Sequence, residues 1–220
     1  MRRIISLNQD WLFVKDTTEI TAREGEVVTL PHSWNAVDGM DGGNDYFRGS
    51  CLYAKTLKKS DLPAADRYYL EIRGANSSAD VYANGEKLAH HDGGYSTWRV
   101  DLTDHLSDET ALAIVVDNAP SDRVYPQMAD FTFYGGLYRD VNLIAVNKTH
   151  FDLDYFGGSG LKITPTVLGK DATVEVEVFT TALADGQTLV YTLYDREETE
   201  LQKIESTDNK VTFLSVDSIF

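Results

Sequence analysis

Short runs of β-branched and aromatic residues, broken about every 10 to 15 positions by Gly, Asn, Asp or Pro, fill this sequence from end to end. No stretch holds helical spacing long enough to give a helix one buried face. The rhythm predicts an all-β chain folded as a sandwich, with strands over 27–30, 52–57, 67–72, 79–83, 112–117 and 140–146. Asn84-Gly85 follows the strand 79–83 and predicts a type I′ hairpin turn, because both residues accept the positive φ angles that this turn needs. Beyond His150, the segments 161–167, 172–179, 188–195 and 210–214 alternate apolar and polar residues, which predicts one buried face for each. That region has about 70 residues, short of the roughly 100 that a two-sheet sandwich normally uses. The expectation is a first domain over 1–147 and a second over 148–220 that is cut short, the chain being a fragment of a longer polypeptide.

Charge narrows the partners. Among 220 residues, 20 are basic and 35 acidic, for a net charge of −15, so a surface that tracks nucleic-acid phosphates or anionic lipid is excluded as an expectation. The acidic residues are dispersed, as on a solvated surface. One cysteine, Cys51, rules out an internal disulfide and a cysteine zinc cluster. No apolar run approaches the roughly 18 residues of a membrane span, and the N-terminus turns polar after Ile4-Ile5, which leaves no signal-peptide core. A cytoplasmic location is expected.

The usual chemical signatures are absent. There is no G-x-S-x-G elbow. Cys51 reads as a buried apolar residue. His90 and His91 are adjacent, so on a strand they point to opposite faces and cannot share one metal ion. Gly42-Gly43 and Gly135-Gly136 lack the lysine and following helix of a phosphate loop. No catalytic residue, metal ligand or cofactor is assigned. What stands out is two long loops, 31–49 and 125–140, dense in Asp, Asn, Arg, Tyr and Trp. Such loops suit a saccharide, whose apolar ring face meets aromatic rings while its hydroxyls meet carboxylates and amides. They equally suit a plain closure of the sandwich ends, with Arg48 and Arg139 pairing local carboxylates.

Five ordered segments resemble the N-terminal sugar-binding domain of glycoside hydrolase family 2, of the bacterial β-galactosidase type. They are Leu7-Asn-Gln-Asp-Trp-Leu-Phe13, Pro31-His-Ser-Trp34, Asp41-Gly-Gly-Asn-Asp-Tyr-Phe-Arg-Gly49 with Tyr53, Val81-Tyr-Ala-Asn-Gly-Glu-Lys-Leu-Ala-His-His-Asp-Gly-Gly-Tyr95 and Tyr134-Gly-Gly-Leu-Tyr-Arg-Asp-Val141. Thr97-Trp98 stands where Pro-Phe is common, and Leu137 where isoleucine is usual.

The resemblance implies a jelly-roll (galactose-binding-like) β-sandwich over 1–147 followed by a partial immunoglobulin-like β-sandwich over 148–220. It implies that the chain is the N-terminal part of a retaining glycosidase that acts on a β-galactoside or related saccharide. The two catalytic glutamates would lie on a C-terminal barrel that is not in the sequence, so the fragment alone is expected to be inactive. The position matching the family's subsite carboxylate is Asp130, with Asn44 and Asp45 as further substrate contacts. Arg48 is expected to anchor its loop, Trp11, Trp34 and Trp98 to pack, and His90 and His91 to be structural. The parent enzyme is expected to be a homo-oligomer. A self-contained carbohydrate-binding module, an adhesive sandwich, or a fragment of a β-glucuronidase or β-mannosidase are the competing readings.

Overall fold

A computed structural model describes residues 2–36, 46–125, 132–169, 171–181 and 183–214. The chain divides into two compact units, Met1–Asn147 and Lys148–Phe220.

Among the described residues, the first unit has ten strands: β1 (Arg3–Ser6), β2 (Trp11–Val14), β3 (Glu26–Val28), β4 (Ser50–Lys58), β5 (Arg67–Ile72), β6 (Ser78–Ala83), β7 (Glu86–Asp92), β8 (Trp98–Asp101), β9 (Glu109–Asp117) and β10 (Val141–Val146). Its two antiparallel sheets have the orders β1-β10-β5-β8 and β3-β2-β4-β9-β6-β7. Alternation along the strands explains the sandwich. Cys51, Tyr53 and Leu57 of β4, with Leu112, Ile114 and Val116 of β9, point inward to meet Leu70, Ile72, Val141 and Leu143 of the other sheet. Leu52, Ala113 and Val115 face outward, where Ile20 and Ala22 of the segment after β2 cover them. Trp11 is fully buried and its indole N–H donates to the Leu7 carbonyl at 2.6 Å. The β6–β7 hairpin turns at Asn84 and Gly85, whose φ angles are +50° and +87°, as a type I′ turn requires.

Cys51, a free thiol, lies in the inward-facing core. Burial raises the Cys51 thiol to about 11, so it packs as an apolar side chain. On the four-stranded sheet, Glu71 and Arg99 form an ion pair whose side chains are 3% and 5% exposed. Burial alone would raise the Glu71 pKa, but hydrogen bonds from Arg99, Arg73 and Asn142 hold it low.

Among the described residues, the second unit has five strands: β11 (Leu161–Leu168), β12 (Asp171–Val178), β13 (Leu189–Tyr194), β14 (Glu200–Ser206) and β15 (Lys210–Phe213). They form a three-stranded sheet β11-β12-β15 and a two-stranded sheet β13-β14. Ala172, Val174, Val178, Tyr191 and Phe213 join the two in a small core. One expectation fails here. The alternation in 161–167 predicts a buried face, yet β11 is exposed along its whole length, with Ile163 59% and Val167 47% exposed. It is an edge strand paired to β12 alone, and no described residue covers its apolar side.

Candidate functional site

The segments flanking the two sequence-identified loops meet at one end of the sandwich, and three asparagines hold them together. Asn35 is fully buried, so its amide must find partners inside the protein. Its Oδ1 accepts from the Gly135 N–H at 2.8 Å and from Asn118 Nδ2 at 3.2 Å, and its Nδ2 donates to the Phe47 carbonyl at 2.9 Å. Asn118, also fully buried, accepts from the Gly49 N–H at 2.9 Å. One amide thus joins the stem of the first loop to the far stem of the second.

Aromatic and basic side chains complete the hub. Tyr46 donates its hydroxyl to the Phe133 carbonyl at 2.8 Å and accepts from the Phe133 N–H at 3.0 Å. Arg48 donates from Nε to the Asn118 carbonyl at 2.7 Å and lies over the Tyr46 ring, so it anchors the loop as expected. Trp34 is buried, and a Cβ at Gly135 would overlap its ring, which explains a glycine there. Gly136 has φ +116° and bridges Asn76, whose Nδ2 donates to the Tyr134 carbonyl at 2.8 Å. His32 adds a Leu137 contact through its backbone N–H at 2.8 Å, while its ring meets the Tyr53 hydroxyl at 2.8 Å. Burial lowers the His32 pKa, favouring the neutral imidazole.

Asn44, Asp45 and Asp130 lie outside the described residues. Their sequence neighbours do not. Tyr46, directly after Asp45, is hydrogen-bonded to Phe133, three positions after Asp130. The sequence, where a buried loop amide looks like any turn asparagine, does not mark Asn35 or Asn118, and it marks Asn76 only as a chance Asn-x-Ser sequon. The clue available was that each sits beside a glycine, an aromatic or a strand end.

Away from this end, His90 and His91 point to opposite faces. His91 stacks on Trp98 at 4.8 Å between ring centroids. His90 contacts Asp80 at 2.6 Å through Nδ1 and Asp92 at 3.1 Å through Nε2, and Arg123 meets Asp92 at 3.2 Å. Asp80, His90 and Arg123, together with Ser50, Ser78 and Asp117, line a polar cavity of about 240 Å³ on the outer face of the six-stranded sheet. Among the described residues, no group of three or more His, Cys, Asp and Glu side chains is placed to hold a metal ion. A wider groove of about 750 Å³ crosses the same face between Ile20, Tyr82 and Ala113. It is lined by Asp10 and Leu12 of the first motif and by Tyr82, Asn84 and Gly85 of the hairpin motif, but by no residue of the two motif loops. Its rim asparagine, Asn84, is already bonded to the Ala111 N–H and the His105 carbonyl.

Comparison with known proteins places this geometry. Residues 46–152 match the family described as glycosyl hydrolase 2 galactose-binding domain-like. A crystal structure of an FMN-binding β-glucuronidase from Facaelibacterium prausnitzii L2-6 is 43% identical, with a TM-score of 0.87 over 99% of this chain and 34% of that one. The β-glucuronidase of Bacteroides fragilis is 32% identical over 189 residues, 84% of this chain and 27% of its own length. The β-galactosidase of Thermoanaerobacter pseudethanolicus is 27% identical over 188 residues, 77% of this chain and 25% of its own. The chain therefore spans about a quarter to a third of the length of these relatives. The ordered motifs, the sandwich that carries them and these likenesses converge: the chain belongs to glycoside hydrolase family 2, whose galactose-binding-like N-terminal domain it contains.

Proposed function

We propose that this chain supplies one wall of the sugar subsite of a retaining β-glycosidase, with the bond-breaking carboxyl pair contributed by a barrel elsewhere in the whole enzyme. The observation that carries the reading is the amide and tyrosine hub. It fixes the stems of both motif loops at the same end of the sandwich. Asp130 would accept hydrogen bonds from a sugar hydroxyl, with Asn44 and Asp45 beside it. Such charge-assisted bonds can strengthen as charge develops on the reacting ring. The hub residues would act by positioning, because a misplaced contact loses much of its effect.

The substrate is a β-glycoside with a galactosyl or glucuronosyl unit. The β-galactoside reading rests on the motif pattern and on relatives of that name. The β-glucuronide reading is favoured by the names of the more identical relatives. The whole enzyme is taken to be a cytoplasmic homo-oligomer.

The test is kinetic and uses the full-length gene product with p-nitrophenyl β-galactoside and β-glucuronide. Asp130→Ala is expected to lower kcat and raise KM, with kcat/KM falling at least about 100-fold on the preferred substrate, some 2.7 kcal/mol of transition-state stabilisation. An unchanged kcat/KM removes Asp130 from the site.

A further inference from the structure

Tyr95 is an aromatic ring that the fold holds rigid and leaves open. It is 54% exposed, although a large aromatic gains by being covered. Its main chain is fixed on both sides. The Tyr95 carbonyl accepts from Arg139 at 3.0 Å, and the preceding Gly94 carbonyl accepts from the Tyr138 hydroxyl at 2.5 Å. Gly94 itself lies so close to the Asn76 side chain that a Cβ would overlap it. The ring is fixed as well. It stacks on Tyr125 with centroids 5.3 Å apart and planes 12° from parallel, and meets the edge of Tyr138 at 6.4 Å and 78°.

The position matters as much as the rigidity. Asn76 receives a hydrogen bond from the Tyr125 hydroxyl at 3.4 Å and gives one to the Tyr134 carbonyl at 2.8 Å. Tyr125 lies five residues before Asp130 and Tyr134 four after, so the stacked pair stands at the root of the loop that carries Asp130. Tyr134 is itself 50% exposed there. A flat ring, immobilised before any ligand arrives, is what the C–H face of a pyranose needs, since little side-chain entropy remains to be lost. The adjacent tyrosine hydroxyls offer donors and acceptors to its rim.

We propose that the Tyr95–Tyr125 pair is a stacking platform for a neutral pyranose ring, the saccharide unit next to the one that Asp130 is proposed to engage. This rests on the sugar-subsite reading above and adds a second point of contact to it. The platform would favour substrates that carry a further sugar over those ending in a small alkyl group.

The test is an NMR titration of the 220-residue chain, carrying 13C-labelled tyrosine rings, with lactose, methyl β-D-galactopyranoside and methyl β-D-glucuronide. The expected result is a saturable shift of the Tyr95 and Tyr125 ring signals, strongest with the disaccharide. Tyr95→Ala should weaken lactose binding about five- to tenfold, whereas Tyr95→Phe, which keeps the ring, should stay within about twofold. The unmodified chain reports through its ring shifts even if Tyr95→Ala fails to fold. Saturable shifts confined to other tyrosines overturn the platform and leave the sugar subsite standing. So does a folded Tyr95→Ala variant that binds like the unmodified chain. If no saccharide produces a saturable shift, the platform is also overturned. The subsite reading is then decided separately by the Asp130→Ala kinetics of the whole enzyme.

Discussion

Trp11 and Trp98 show how two residues of one type, both read as packing residues, differ once their neighbours are known. Trp11 donates to the Leu7 carbonyl, whereas Trp98 Nε1 is buried with no hydrogen-bond partner among the described residues. Replacing Trp11 by Phe removes packing and also strands a carbonyl, which costs about 1–3 kcal/mol beyond the lost area. Replacing Trp98 by Phe removes an unpaired donor, which offsets part of the lost packing. Urea unfolding should therefore show Trp11→Phe to be the more damaging change by at least about 1 kcal/mol. Equal losses would mean that the Trp98 indole is satisfied in solution, for instance by water. The sequence ranked both tryptophans correctly as core, because a large ring beside alternating apolar residues is seldom left outside. It could not rank one above the other, since the partner of an indole N–H is fixed by whichever backbone folds over it. The same holds for Asn35 and Asn118, whose partners lie up to 100 residues away in the chain.

At the level of strands, the legible elements were those with strong alternation and a clear turn. The strands expected at 67–72 and 79–83 are present as Arg67–Ile72 and Ser78–Ala83, and the Asn84-Gly85 turn lies between β6 and β7. Five strands were not foreseen, β1, β2, β7, β8 and β14, and most are short or polar. β7, with the sequence EKLAHHD, is a strand because β6 supplies its hydrogen-bonding partner and the hairpin turn sets its register. Cross-strand pairing, more than intrinsic propensity, decides such cases. On this hairpin His90 lies between Asp80 of β6 and Asp92 of its own strand, with Lys87 on Asp80 and Arg123 on Asp92. Hydrogen bonds donated to the Asp80 carboxylate and then to that of Asp92 raise the His90 pKa above the ordinary 6.5. A raised histidine pKa means that protonation stabilises the fold. That contribution is complete below the unfolded-state value and disappears as pH climbs through the folded one. The stability difference between the natural chain and His90→Gln should be larger at about pH 5.5 than at about pH 8.5. With the His90 side chain 41% exposed, the difference should be under about 1 kcal/mol. A gap that grew with pH would contradict the assignment of the charged pair.

Over the whole molecule, the two units differ most in their cores. Among the described residues, 22 buried side chains form the main cluster of the first unit and five that of the second. A small core offsets less of the chain entropy lost on folding. Hydrogen exchange should accordingly show lower protection over 161–213 than over the central strands β4, β5, β9 and β10, and urea should unfold the second unit first. Simultaneous loss of both at one urea concentration would mean that the units stabilise each other. The sequence by itself determined the all-β class, the turn at Asn84-Gly85, the inert Cys51 and the family, because alternation, positive-φ residues and ordered motifs are local properties of the chain. It also identified Asn44, Asp45 and Asp130 as contacts to be tested. The tertiary structure alone decided that Asn35, Asn76 and Asn118 tie the motif loops to one end, that β11 lies open along its length, and that Tyr95 is held rigid on Tyr125. Each of these depends on which distant backbone groups meet, and a hydrogen bond between residues 100 positions apart leaves no periodicity to read.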